Sequence, residues 1–127
     1  MLVDIANRQT SNNTVYVYII NSIYNQTLIK ALNNKIKVYL FNRMASSRNI
    51  FKIVEINSAI FKIKPDIIHC HDSNIINLLL VRFFFKTVLT VHDINLPLVG
   101  IKKYNKVFAI SSTVKTHLLE RGIKNIS

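Results

Sequence analysis

The chain has 127 residues, half of them hydrophobic and 18% charged, a balance that excludes a disordered polymer and sets the scale at one domain with a real core. Its formal net charge of +11 points to polyanionic partners: nucleic acid, anionic lipid headgroups or phosphorylated substrates. The lysines are nevertheless scattered and form no continuous basic cluster. The single cysteine, Cys70, excludes an internal disulfide and fits a reducing compartment. No N-terminal signal pattern is present. The longest apolar run, Ile75 to Phe85, is interrupted by Asn77 and Arg82 and falls short of the ~20 residues a bilayer-spanning helix needs. A soluble or peripheral cytoplasmic protein is expected.

In chain order, Met1 to Thr10 places Leu2, Val3, Ile5 and Ala6 near helical spacing, with Asp4 early and Arg8 late as the helix dipole prefers. Ser11-Asn12-Asn13 closes it as a turn. Val15 to Ile20 is β-branched and aromatic and predicts a strand. Gln26 to Leu32 predicts a short helix ended by Asn33-Asn34, and Lys35 to Phe41 alternates as a strand. Ile50 to Lys64 carries Ile50, Ile53, Val54, Asn57, Ile60 and Phe61 at amphipathic spacing. Pro65 then disfavours helical geometry in the residue before it. Ile67-Ile68 open an apolar strand that ends in His69-Cys70-His71-Asp72. Ser73 or Asn74 caps a helix from Ile75 to about Phe84, apolar nearly all round and expected to be deeply packed. Lys86 to Val91 is a further strand, ending in His92-Asp93. Residues 94 to 105, with Pro97 and Gly100, read as irregular. Lys106 to Ile110 is the last full strand; Ser111-Ser112 cap a helix from Thr113 to Arg121, and Gly122 stops it. Alternating strands and helices imply an α/β fold, a Rossmann-like parallel sheet with helices on both faces.

Open α/β sheets place ligands at the carboxyl ends of their strands. Two apolar strands here end in ionisable groups, His71-Asp72 and His92-Asp93. Alternation puts His69 and His71 on one face and turns Cys70 to the other, as a small core residue. His69 lies deeper and reads as a packing or hydrogen-bonding residue. His92 closes a very apolar strand, which argues for a functional role; an imidazole there can move a proton near neutral pH or hold a phosphate or sugar hydroxyl. Asp72 and Asp93 also suit a helix cap and a solvated loop, and His117 reads as a surface residue. The same histidines admit a metal-dependent hydrolase, since three neutral imidazoles suit Zn²⁺. With six acidic residues in all, carboxylate ligands are sparse, and no metal is assigned. The charge admits a third class, a non-catalytic module binding nucleic acid or an anionic membrane. No phosphate-binding glycine loop and no serine nucleophile elbow is present.

Three blocks occur in order: Pro65-Asp66-Ile67-Ile68-His69-Cys70-His71-Asp72; Val88-Leu89-Thr90-Val91-His92-Asp93; and Lys106-Val107-Phe108-Ala109-Ile110-Ser111-Ser112 with Leu118-Leu119-Glu120-Arg121-Gly122. Together they resemble the N-terminal half of family-4 glycosyltransferases, retaining enzymes of the GT-B fold. The likeness is clear from Lys64 to Ser127. Before Phe41 it is a compatible helix-strand-helix-strand series. The resemblance implies an acceptor-side N-terminal domain over residues 1–127, acting in cell-surface polysaccharide synthesis (lipopolysaccharide or capsule) or on a lipid-linked acceptor. It makes His92 the cleft residue that orients or stabilises charge, the catalytic candidate. His71, Asp72 and Asp93 become substrate-binding candidates, with Ser111 at a helix N-terminus suited to an anionic group. It implies a nucleotide sugar as co-substrate with no tightly bound cofactor, a glycan or lipid-linked acceptor, and peripheral contact with an anionic membrane. Two departures stand out. The family's opening strand and glycine-rich turn are missing, and so is the C-terminal donor domain, to be supplied in cis or in trans. The chain by itself is therefore expected to be inactive.

Overall fold

Strand and helix alternate through residues 1–127, all of which the computed structural model describes. The order is α1 (Leu2–Gln9), β1 (Tyr16–Asn21), α2 (Gln26–Lys30), β2 (Lys37–Arg43), α3 (Ile50–Ile63), β3 (Ile67–Cys70), β4 (Lys86–Val91), β5 (Lys106–Ala109) and α4 (Ser112–Glu120). Every strand pairing is parallel, so the fold is α/β, as the alternation implies. The hydrogen bonds form two sheets, β1-β2 and β3-β4-β5, and the chain divides into two compact units, Met1–Ile56 and Asn57–Ser127.

In the first unit, β1 and β2 pair from Tyr16↔Lys37 to Ile19↔Leu40, then slip before Asn21↔Arg43. The aromatic residues predicted for strands stack across this pair: Tyr18 lies 5.1 Å, centroid to centroid, from both Tyr39 and Phe41. Asn7 ties α1 to the exit of α2, donating to the Ala31 carbonyl (3.0 Å) and accepting from the Asn33 amide (2.7 Å). Ala6, Ile36 and Phe41 are buried.

The second unit carries the larger sheet. Ile67, Lys86 and Lys106 stand at the starts of its three strands, and the register runs His69↔Val88 and Cys70↔Leu89, then Leu89↔Val107 and Val91↔Ala109. Leu89, Val107 and Leu118 are essentially inaccessible, each worth roughly 1.5–3 kcal/mol of hydrophobic burial. Buried Thr87 is satisfied by Asn105, whose side-chain oxygen accepts from the Thr87 amide (2.7 Å) and hydroxyl (3.1 Å). Beyond α4 the chain runs alongside β5: Val107 donates to the Asn125 carbonyl at 2.9 Å, and Val107 bridges Ile126 in parallel.

One expectation is overturned. The stretch predicted as a helix from Ile75 to about Phe84 is two short 3₁₀ turns, Ser73–Asn77 and Leu80–Phe83. The Asn57 side chain explains the break. Its amide donates to the Leu78 carbonyl at 2.8 Å, and its oxygen accepts from the Val81 amide at 3.1 Å. Both backbone groups are thereby taken from an α-helical ladder. The predicted deep packing fails with it: Ile76 and Leu79 are buried, while Phe83 is 77% and Phe84 71% exposed. Gly100 packs against the first of these turns with φ +77°; a Cβ there would meet Ile76 Cγ2 at 2.6 Å. Only glycine satisfies both the backbone angle and the space.

Candidate functional site

Parallel strands share one polarity, so whatever follows β3, β4 and β5 gathers at one end of the sheet. Those followers are His71-Asp72, His92-Asp93 and Ile110-Ser111. The loops after β3 and β4 are fastened together. The Ser73 hydroxyl donates to the Pro97 carbonyl at 2.6 Å, and the buried Tyr104 hydroxyl donates to the Asp72 carbonyl at 3.1 Å. Burial raises the Tyr104 phenol well above its usual value, with Cys70 alongside contributing, so it remains a hydrogen-bond donor.

This fastening brings two histidines from different strands into direct contact. His71 Nδ1 and His92 Nε2 lie 2.8 Å apart, with ring centroids 5.0 Å apart and planes 11° from parallel. His69 also stacks on His71, centroids 4.6 Å apart, and its Nε2 bonds the Thr90 hydroxyl at 2.7 Å. Burial is the first cause of a downward shift in all three imidazoles. His71 is held lowest, at about 4, by burial and then by the neighbouring His69 and His92. The cluster is neutral at physiological pH, since burial disfavours the charged form of each ring.

Neutrality fixes what the pair offers. One hydrogen lies between His71 Nδ1 and His92 Nε2, so one ring donates and the other accepts. The outer nitrogens, His71 Nε2 and His92 Nδ1, are then necessarily one acceptor and one donor. The two roles exchange only when the shared hydrogen crosses while one outer nitrogen takes up a proton and the other releases one. The pair thus offers one donor and one acceptor nitrogen beyond its internal bond.

The sequence matches the glycosyl transferase 4-like family over residues 8–119. The chain belongs to this family. No curated protein and no solved structure matches it.

The predicted site residues divide into two kinds. His71 and His92 are joined directly. Asp72, Asp93 and Ser111 stand at the same strand ends, each engaged with its own loop. Asp72 caps the following turn by accepting from the Asn74 amide (2.8 Å), and Asp93 accepts from the Asn95 amide (2.9 Å) and side chain (3.1 Å). Ser111 caps α4 by accepting from the Val114 amide at 3.3 Å. All three remain exposed, with oxygen lone pairs to spare. Cys70 points into the core as alternation requires, and burial pushes its thiol up to about 11, which removes it as a nucleophile. No group of three or more His, Cys, Asp or Glu side chains converges as metal ligands. His71 and His92 spend nitrogens on each other and His69 spends one on Thr90, so the three imidazoles do not form the Zn²⁺ cage that their spacing allowed.

The sequence reading missed Thr90 and Tyr104. Thr90 sits one strand over from His69, and Tyr104 reaches Asp72 from 32 residues away. A tyrosine closing a glycine-containing loop was the available signal for the second. Nothing in the spacing marked the first.

Proposed function

We propose that this glycosyltransferase domain takes the acceptor side of a retaining transfer from a nucleotide sugar, used as a substrate with no tightly held cofactor. The acceptor is a cell-surface polysaccharide precursor or a lipid-linked glycan, met in the cytoplasm at the membrane. The observation that carries the reading is the 2.8 Å contact between His71 and His92 at the ends of adjacent parallel strands. His92 is the catalytic residue. Its outer nitrogen holds the reacting hydroxyl or the developing charge beside it, and His71 fixes the tautomer and ring orientation from behind. Asp72, Asp93 and Ser111 contribute exposed oxygens around the same opening for further hydroxyls, and the amides at the start of α4 suit an anionic group. No protein nucleophile is required. Cys70, the strongest nucleophile by chemistry, is buried.

The test is sugar transfer by the active enzyme carrying His92→Ala, with His92→Gln as the variant that keeps a hydrogen-bonding side chain. Loss of a preorganised donor costs about a hundredfold or more in rate. His92→Ala is expected to show that loss, and His92→Gln to recover part of it. Transfer at the wild-type rate by His92→Ala overturns the assignment.

A further inference from the structure

The helix that follows the histidine end carries a groove of its own. It measures about 460 Å³ and is lined by Ile94, Ser112, Thr113, Thr116, His117 and Glu120, within the ~300–1,000 Å³ typical of small-molecule clefts. Thr113, Thr116, His117 and Glu120 recur at i, i+3, i+4 and i+7, so α4 presents them on one face. Ile94 closes the groove from the loop after β4. Both walls start from the histidine end. Ile94 stands two residues beyond His92, a span of at most about 7 Å. The Ile110 amide donates to the Val91 carbonyl at 3.4 Å, which holds the entry to α4 beside the end of β4.

The lining selects the kind of ligand. Ser111 spends its hydroxyl oxygen on the Val114 amide. The hydroxyls of Ser112, Thr113 and Thr116, the His117 imidazole and the Glu120 carboxylate have no hydrogen-bond or ion-pair partner in the protein. Each hydroxyl can donate and accept, and an ionised carboxylate accepts only. That set complements a ring bearing several hydroxyls. Charge narrows the choice further. The chain has 17 Lys and Arg against 6 Asp and Glu, yet the groove holds a carboxylate and no basic residue of either kind. Glu120 lies in the last turn of α4, where the helix dipole adds to its repulsion of an anion. A phosphate or a uronic acid is therefore disfavoured beside it, and a neutral sugar is not. Ile94, 40% exposed, supplies apolar surface for the C–H face of a sugar ring.

We propose that this groove is a sugar subsite, holding the second residue of a neutral oligosaccharide acceptor whose terminal hydroxyl is held at His92. This rests on the acceptor-side function proposed above and adds a length and a charge to it. The acceptor is at least a disaccharide, and its second sugar carries no acidic group. Glu120 accepts from the hydroxyls of that sugar, Thr113 and Thr116 exchange hydrogen bonds with them, and Ile94 packs on the ring. Binding in the groove needs neither a donor nor sugar transfer, so it is measured separately from catalysis.

The experiment is a titration of the isotope-labelled 127-residue chain, followed by amide NMR. The probes are lactose, cellobiose, maltose and mannobiose, the methyl glycosides of glucose, galactose and mannose, and glucuronic and galacturonic acids. At least one neutral disaccharide is expected to shift the amides of Ile94, Thr113, Thr116, His117 and Glu120 saturably. It is expected to bind about fivefold more tightly than the methyl monosaccharides, the gain of one or more hydrogen bonds. The uronic acids are expected to leave those amides in place. Glu120→Ala is expected to weaken disaccharide binding about tenfold, as loss of a charged acceptor does, and Thr116→Val about fivefold. Both positions are exposed, and the same spectra show whether each variant is folded. No shift along α4 with any neutral disaccharide overturns the proposal. So do shifts that neither variant weakens, disaccharide binding no tighter than that of the monosaccharides, or a preference for a uronic acid. Failure of His92→Ala to affect transfer bears on the catalytic reading alone.

Discussion

The two ends of the β3-β4-β5 sheet were built from one set of strands and differ in almost every physical respect. At the carboxyl ends the histidines, Thr90 and Ser73 are neutral, partly or fully buried and bonded across the loops (His69 to Thr90, His71 to His92, Ser73 to Pro97), with exposed Asp72, Asp93 and Ser111 beside them. At the amino ends the polar groups are cationic and exposed, beside rings that no core covers. The first arrangement restricts geometry, as a site holding a hydroxyl in one orientation requires. The second leaves its side chains far less restricted. Parallel topology makes the separation possible, because chain direction alone assigns each residue to an end.

The largest effect expected on stability comes from disturbing the packing beneath the carboxyl-end loops. Gly100→Ala forces a Cβ to 2.6 Å from Ile76 Cγ2 at a φ of +77°, combining overpacking with a left-handed backbone. Together these cost about 2–4 kcal/mol, to be read from urea unfolding. The comparison between ends sharpens if the folded fraction of this variant also loses the His71–His92 contact, seen in histidine side-chain NMR. Unchanged stability would mean that the loop from His92 to Gly100 is not packed as described.

A smaller effect follows from the neutral histidines. His71 titrates near 4 when folded against about 6.5 unfolded, so the unfolded chain binds more protons between those values. Unfolding free energy therefore rises with pH across this window: the stability is fully present above about pH 6.5 and falls as pH drops toward 4. His69 and His92 shift in the same direction and add to the slope. His71→Gln is expected to flatten the profile measured by urea unfolding from pH 4 to 7. A profile as steep as wild type would show that His71 is not the group held neutral.

Much of this architecture is legible in the sequence, and the reasons are local. Lys86 to Val91 reads as a strand because β-branched residues bounded by polar ones have few other homes, and it occupies those residues in the structure. His92 stands out because a polar group closing an apolar strand has to meet something. The 3₁₀ break was invisible for the opposite reason. Ile75 to Phe84 has the composition of a buried helix, and the side chain that prevents it, Asn57, lies 21 residues before Leu78 and 24 before Val81. Within its own helix Asn57 reads as a polar lapse in an apolar stripe.

The smallest prediction concerns Ser111, where local structure and ligand binding compete for one oxygen. Its hydroxyl oxygen accepts from the Val114 amide and starts α4, and replacing a serine N-cap by alanine costs about 1 kcal/mol. Ser111→Ala is thus expected to lower stability by that amount in urea unfolding, and Ser111→Asn by much less, because asparagine caps as well. The two variants separate structural from binding roles. If Ser111 serves only the helix, affinity for a glycan acceptor or an anion follows stability, and Ser111→Asn resembles wild type in both. If the same oxygen also meets ligand, Ser111→Asn keeps the helix and still loses affinity, because the longer amide moves the acceptor atom away from the strand end. That second pattern would count Ser111 with His71 and His92 as part of the site; the first would leave it as framework.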